Sequence, residues 1–478
     1  MRRPRALLAL AFVFSGCGAR TSIELFELAP SVAGATSGAG GSSATGGSAT
    51  TVGASGSLGT SGAVASAGNA AAGASAGSGG ASAGSGGEAG QPTLALGAFH
   101  TCTSLMGGRL RCWGTHGYIG SGNDLTIGDD ETPDVLTDVQ IGGPVVQMAA
   151  SWYHTCAVLE AGNVRCFGDG SYGELGYGNT RAIGDDEIPA FAGDVDVGGK
   201  VSQVSVGPND TCACLDTGKL RCWGQNSDWQ LGYRNSASIG DDETPASAGD
   251  VDVGGFVVQA ALGLGHTCAL LDTGKVRCWG RGNAGRLGYG NGNTIGDDES
   301  PASAGDVDLG GKAIQLVAGT IHTCALLDTG KVRCWGSGDD GALGYGNMLT
   351  IGDDETPASA GDVDVGGPVT QLAAGDSATC ALLTGGTVRC WGSGVDGRLG
   401  YGNLNTIGDN ETPASAGDVD VGGPVSRIAM GFRHTCALLT SGAVRCWGRA
   451  STGALGYGNT NDIGDDETPA SAGDVKTH

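Results

Sequence analysis

The sequence predicts an all-β protein, a seven-bladed β-propeller, and three observations predict it. One stretch, His-Thr-Cys-Ala-Leu-Leu-Asp-Thr-Gly-Lys-Val-Arg-Cys-Trp-Gly at 322–336, recurs seven times. Each copy reads as three clear strands and a weaker fourth with no helical period, which suits blades packed face to face around an axis. Glycine, at 93 of 478 residues with only 5% aromatics, is too abundant for helix packing and suits many tight turns. A linear stack is the structural rival, but seven is a comfortable number for closure.

The first residues read as an address. Met1 to Arg5 is basic, Ala6 to Ser15 is apolar but too short to span a bilayer, and Ser15-Gly16-Cys17 follows. This resembles the leader and lipobox of bacterial lipoproteins, cut before a cysteine that becomes diacylated. The resemblance implies lipidation of Cys17 over residues 1–17, and an extracytoplasmic chain anchored to the outer membrane or cell surface. Residues 18–92 are almost wholly Gly, Ala, Ser and Thr from about Ser31, with no apolar face to offset the ordering entropy. Some sixty such residues make a flexible linker of about 40–50 Å root-mean-square span. The propeller then occupies 93–478.

Within each copy the repeated stretch is a β-hairpin. Gly330 in the left-handed position closes Leu327 against Lys331, and counting back sets Leu326 opposite Val332 and Cys324 opposite Cys334. That pair is non-hydrogen-bonded, where opposed side chains come closest, so a cross-strand disulfide is the natural reading. The spacing holds throughout: Cys102 with Cys112, Cys156 with Cys166, Cys212 with Cys222, Cys268 with Cys278, Cys324 with Cys334, Cys380 with Cys390, Cys436 with Cys446. First partners follow one another at 54 residues once and then at 56. Zinc would rather use close Cys-x-x-Cys pairs with further ligands. Of 16 cysteines, Cys17 and Cys214 remain; Cys214 stands where Leu326 stands in its own copy and reads as a small buried apolar residue.

After the hairpin come Trp335-Gly336, Leu343-Gly344-Tyr345-Gly346 and a Pro, and before it Gly319-x-x-His322. This pattern resembles the RCC1 (regulator of chromosome condensation) repeat, in part in all seven copies, and the resemblance implies a seven-bladed propeller. Departures are local: Phe167 replaces the Trp, Asp210 and Ala378 replace the His, and Ile119-Gly120 alters Leu-Gly in copy one. The last copy ends at Gly473-Asp474-Val475, a short strand expected to pair into the first blade beside Thr93 to Leu96.

Charge narrows the partners. At −24 the chain lacks the clustered Lys and Arg that nucleic acid requires, while cations or basic protein surfaces fit the sign. His100, His154, His266, His322 and His434 share one repeat position beside a strand start, where a ring nitrogen bonded to backbone makes a structural reading preferable to a metal one. Asp353-Asp354-Glu355 and its equivalents are oxygen-rich loops open to Ca²⁺, though the spacing is not that of an EF-hand. No cofactor fingerprint and no nucleophile–base constellation is present, and near-identical loops offer no acid/base asymmetry, so no catalysis is expected.

The copies differ chiefly in two loops. The one before the hairpin carries Phe99, Trp152-Tyr153 and Phe432-Arg433, and the one after Trp-Gly carries Tyr118, Tyr172 and Trp229. Large aromatics on loops are common interface anchors, so Tyr118, Trp152, Tyr153, Tyr172 and Trp229 are the candidate partner-binding residues. The expectation is a monomeric, envelope-anchored scaffold that presents loops to a protein or glycan and meets the membrane only through its lipid. The alternatives are a guanine nucleotide exchange factor-like regulator of the RCC1 type, or a secreted inhibitor of an enzyme such as β-lactamase.

Overall fold

The computed structural model of the protein describes residues 92–123 and 125–477; Cys17, the leader and all but the last residue of the linker lie outside them. Blade 5 shows how the local chemistry builds a sheet. Ala313–Ala318, His322–Leu327 and Val332–Gly336 pair antiparallel in that order. Gly330 has φ 76°, and its turn places the Leu327 N–H 2.8 Å from the Lys331 carbonyl. Cys324 then faces Cys334 in a non-hydrogen-bonded pair, with Cα atoms 4.1 Å apart and the sulfurs bridged. The same bridge closes the other six hairpins. Cys214 is free and buried.

Seven such three-stranded sheets follow one another. Their inner strands are Leu94–Leu96, Val145–Ala150, Val201–Val206, Val257–Gly263, Ala313–Ala318, Val369–Ala374 and Val425–Met430. Each packs on the next, and the last packs on the first, so the ring is closed. The core lies between blades, where Trp113, Trp223, Trp279, Trp335, Trp391, Trp447 and Phe167 are fully buried.

The joints between blades are also hydrogen-bonded, and the bonds repeat. Each buried indole N–H needs an acceptor. Trp335 donates to the Arg286 carbonyl of the preceding blade at 3.0 Å, Trp223 to Glu174 at 2.8 Å and Trp113 to Ala454 at 2.9 Å. Inner-strand glutamines clamp the next blade's backbone from both sides: Gln147 donates to the Val204 carbonyl and accepts from its N–H, each at 2.9 Å. Gln315 does the same to Leu372. On the outer strand, Arg333 pairs with Asp362 at 2.9 Å and donates to the carbonyl of Leu309 in the blade before.

Four expectations are corrected. The weaker fourth strand at 418–421 is not a strand: Val419 makes one ladder bond, to the Val388 carbonyl, while Asp418 takes Arg389 at 2.7 Å. Val475 does not join blade 1. It bridges Val444 in its own blade, and the tail reaches blade 1 through Arg111, which donates to the Thr477 carbonyl at 2.8 Å. The Pro-Ala-Ser-Ala segments, such as Pro357–Ala360, are single helical turns, too short to show a period. The repeated histidine bonds a side chain of the next blade rather than backbone: His322 Nε2 lies 2.9 Å from Thr379 Oγ1.

Replacing Trp335 with Phe, the residue blade 2 holds at this position as Phe167, removes the donor together with part of the ring volume and strands the Arg286 carbonyl. The variant is expected to lose about 1–2 kcal/mol in denaturant unfolding, whereas a midpoint equal to wild type would show that the indole bond contributes nothing to the joint.

Candidate partner-binding face

His322 pairs with Gly336 across the hairpin, so the loop before the middle strand and the loop after Trp-Gly leave each blade at the same end. Gly336 also bridges Ile351, which brings the acidic triad 353–355 to that end. The two variable loops and the repeated acids therefore share one face.

On this face five rings meet across blades 7, 1 and 2. Phe99 stacks on Tyr153 at 5.7 Å, Tyr118 contacts both, at 6.4 Å from Phe99 and 5.5 Å from Tyr153, and Trp152 lies edge-on to Tyr153 at 6.0 Å. Trp152 of blade 2 then meets Phe432 of blade 7 at 5.1 Å across blade 1. Backbone fixes this bridge: the Ala98 N–H donates to the Trp152 carbonyl and the Phe432 N–H to the Gly97 carbonyl, both at 3.3 Å. All five side chains are only half-buried. One edge of the platform carries Arg433, 5.4 Å over the Phe432 ring and paired with Asp396 at 3.2 Å. The other is acidic: burial and the nearby Asp169 push the Tyr118 phenol up.

Three of the five predicted anchors, Tyr118, Trp152 and Tyr153, are thus brought together. Tyr172 and Trp229 are not; each stands in its own loop, Tyr172 the more exposed. Phe99 and Phe432 complete the platform, and only the closure of copy seven on copy one could have revealed that role. Trp229 is unusual in another way. It sits at φ 58°, where the other copies hold Gly117, Gly173, Gly285, Gly341, Gly397 and Gly453, all left-handed. A bulky residue there is a genuine outlier. The crowding is visible next door: a Cβ at Gly352 would stand 2.4 Å from the Gly285 carbonyl oxygen, but one at Gly296 would stand 3.1 Å from that of Trp229, so this seam has opened.

Around the rim, Asp353, Asp354 and Glu355 bring carboxylate oxygens within 4.8 Å of one another, as do their equivalents at 129–131, 185–187, 241–243 and 297–299. Three such oxygens, the middle residue of each triad exposed and its glutamate half-buried, fall short of the six to eight that calcium takes. Desolvation and the adjacent aspartates push the Glu355 carboxyl up to about 7. Beneath the face runs the histidine ring. His434 contacts Thr101 Oγ1 at 2.7 Å, and that hydroxyl donates to the Ala454 carbonyl at 2.9 Å, so the imidazole Nε2 is the donor. His154 uses Thr211 and Glu174 in the same way. Among the described residues no catalytic constellation is assembled.

A closed, disulfide-stapled propeller with its variable loops gathered on one face defines a scaffold protein. Its blades are RCC1-like repeats: the regulator of chromosome condensation (RCC1) repeat family matches residues 145–174, 201–230, 257–286, 313–342, 369–398 and 425–453, which are copies two to seven. The chain is similar to the ultraviolet-B receptor UVR8 of Arabidopsis thaliana, at 27% identity over 77% of this chain and 79% of that one. It is also similar to the human E3 ubiquitin-protein ligase HERC2, at 29% identity over 66% of this chain but only 6% of that much longer protein. Among solved structures, yeast RCC1 (Prp20) bound to Kap60 aligns with TM-score 0.59 at 19% identity, covering 75% of this chain and 83% of that one. Prp20p of Saccharomyces cerevisiae, described with its binding to Gsp1p and histones, aligns at 0.58 and 20%, covering 79% and 86%.

These relatives correct the reading of the leader. They are eukaryotic proteins of plant, yeast, mouse and human, and their names carry no bacterial lipoprotein. The bacterial lipoprotein assignment, the envelope or cell-surface location and the membrane as a partner through lipid are therefore withdrawn. The physical reason is that a basic, apolar leader ending in Gly-Cys is a short and common pattern, and nothing in the blades depends on it. No helix among the described residues is long and apolar enough to cross a membrane.

Burial lowers the histidines, to about 3 for His100, His154 and His434 and about 4 for His322. Unfolded histidine takes a proton near 6.5 and the folded ring refuses it, so this stability is present above pH 6.5 and is lost as pH falls towards 4. The rim glutamates, half-buried and raised by desolvation, have the opposite sign and offset part of this slope. Stability is expected to fall on acidification by up to about 1.4 kcal/mol per pH unit for each histidine. His322→Ala, a residue that position accepts as Ala378, should reduce that slope by one proton in denaturant titrations at pH 7, 6 and 5; an unchanged slope would refute the clamp.

Proposed function

We propose that the protein is a non-catalytic RCC1-type scaffold that captures a protein partner on this face, with the aromatic platform as anchor and the acidic rim selecting a basic segment. The observation that carries the reading is the half-open five-ring platform on the face where the copies diverge. Rings of this size supply contact area at low entropy cost, and hot spots are rich in Trp and Tyr. The net charge of −24 and the triads at that end supply long-range attraction for a basic surface. The solved relative described as binding histones is a precedent for a basic partner on this fold. Strain supports Trp229 as a second contact, since a left-handed Trp persists only where the surroundings or the task retain it.

A regulator that acts on a small GTPase, as the RCC1 resemblance implies, is the second reading. The overall likeness to Prp20p, described as binding Gsp1p, favours it over the secreted inhibitor, which falls with the export reading. Release of a fluorescent guanine nucleotide from a panel of small GTPases, accelerated by the protein, would establish it; no acceleration leaves the scaffold reading alone.

Core histones and an array of Lys/Arg-rich peptides are suitable probes for the leading reading. Trp152→Ala with Tyr153→Ala is expected to weaken binding at least tenfold, about 1.4 kcal/mol, and added salt to weaken it further. Binding that survives the double change removes the platform as the site. Trp229→Gly should separate strain from structure: the fold gains about 1 kcal/mol while affinity drops. A Gly variant that is less stable and binds unchanged would assign Trp229 to packing.

A further inference from the structure

The devices that join neighbouring blades fail together at one seam, between blades 3 and 4. The first is the His–Thr bond, which spans 2.7–3.0 Å at five seams. Here blade 3 offers Asp210 towards Thr267, and Asp210 Oδ2 is buried without a hydrogen-bond partner. Blade 6 also lacks the bond, but its Ala378 buries no polar group instead. The second device is a backbone bond between the loops that precede the hairpins. The Leu264 N–H donates to the Thr320 carbonyl and the Thr320 N–H to that of Asp376, each at 2.9 Å. Blade 3 has Pro208 at this position, with no N–H to give.

Packing is thinned at the same seam. Cys214 faces blade 4, where the Ala260 N–H lies against its sulfur. The corresponding pairs are Leu326 with Leu372 and Leu382 with Ile428, so two small residues meet where those seams hold two large ones. Leu262, where blades 5 and 6 have Ala318 and Ala374, stands beside Asp210 and gives it no polar partner. At the loop face Gly296 stands wider from Trp229 than Gly352 does from Gly285. Among the described residues no other seam combines these losses. What remains is narrow. Trp279 and Thr267 both donate to the Gln230 carbonyl at 2.8 Å, so one acceptor carries two bonds. Across the loop face Asp228 of blade 3 meets Arg281 of blade 4 at 2.9 Å, with the arginine side chain 47% exposed. An ion pair so placed contributes little and is screened by salt. The buried acid with a free oxygen favours any opening that lets water reach it.

We propose that the ring opens locally at the seam between blades 3 and 4, parting the Trp229 loop from blade 4, and that the Asp228–Arg281 pair is its latch. The remaining joints keep the circle closed elsewhere, so the opening is local and leaves the fold intact.

The Cys214 thiol reports the opening, and no partner is involved, so the test is independent of the binding reading. Burial pushes that thiol up to about 12, which keeps it protonated and out of reach of a thiol reagent while the seam is closed. The full chain carrying Cys17→Ser is labelled under native conditions without reductant, which leaves Cys214 as the free thiol. The reference is the same chain with Cys214→Leu and Leu326→Cys, which moves the thiol to the same position between blades 5 and 6. Cys214 should react at least about tenfold faster than the reference thiol. Leu326→Cys loosens its own seam, so the comparison is a stringent one. Asp228→Asn should speed the reaction of Cys214. Pro208→Leu with Asp210→His, which restores both lost donors, should slow it. Equal rates at the two seams would overturn the proposal, as would restoration without slowing, and a rate unmoved by Asp228→Asn would overturn the latch. If the restored chain does not fold, hydrogen exchange of wild type decides: amides 257–263 should exchange faster than amides 369–374, and equal protection refutes the open seam.

Discussion

The structure depends on the joint between consecutive blades. A three-stranded sheet with apolar side chains on both faces cannot stand alone in water, so every blade needs a neighbour on each side. Packing supplies most of the attraction, but the indole N–H, the imidazole and the backbone ends that packing buries must find partners in the adjoining blade. The Trp–carbonyl bond, the His–Thr pair and the Gln clamp answer that requirement in the same way at successive joints. Closure follows from repetition: the joint of blade 7 with blade 1, through Trp113, Thr101 and Arg111, uses the same devices as the others. The disulfides belong to a different level. Each ties two strands of one hairpin, ten residues apart, and holds no blade to another.

What was legible in the sequence is what short-range chemistry determines. Gly330 and a period of two fix the hairpin register, and the register alone puts Cys324 against Cys334. The fourth-strand segment alternates as Asp-Val-Asp-Val, as a strand does, yet Asp418 faces the outer-strand Arg389 while Asp420 accepts from the Gly422 N–H and the Thr468 hydroxyl, and Val419 alone bonds the outer strand. The histidine's partner was hidden for a topological reason, since Thr379 lies 57 residues from His322 and belongs to the next blade. The platform was hidden by the same reason at greater length. Phe432 and Trp152 become neighbours only once the ring closes, and no local pattern links them.

The site inherits its form from this division of labour. Residues that make the joints are held nearly constant, and the loop ends on one face are free to differ. Variation still has physical limits there. Glu174 contributes a backbone carbonyl to the joint, which any residue can do, and the same position therefore tolerates Tyr118, Gln230, Arg286 and Ala342 while the fold stays intact. Phe167 marks the opposite case, a framework position that kept a buried aromatic ring and lost its donor.

Blade 3 departs most from its neighbours, and its departures share a direction. Asp210 replaces a neutral donor with an acid, Cys214 replaces a leucine, and Trp229 and Arg234, at φ 58° and 60°, stand at positions the other copies give to glycine. A ring of seven joints can carry one weak joint because the remaining six hold the circle closed, an advantage a linear stack lacks, where one broken interface divides the array. Strain and a buried acid concentrated in a single blade, beside a seam already opened at Gly296, are therefore costs the closed topology can absorb. That arrangement keeps the left-handed side chains Trp229 and Arg234 out of the aromatic platform of blades 7, 1 and 2 and places them in the blade immediately next to it.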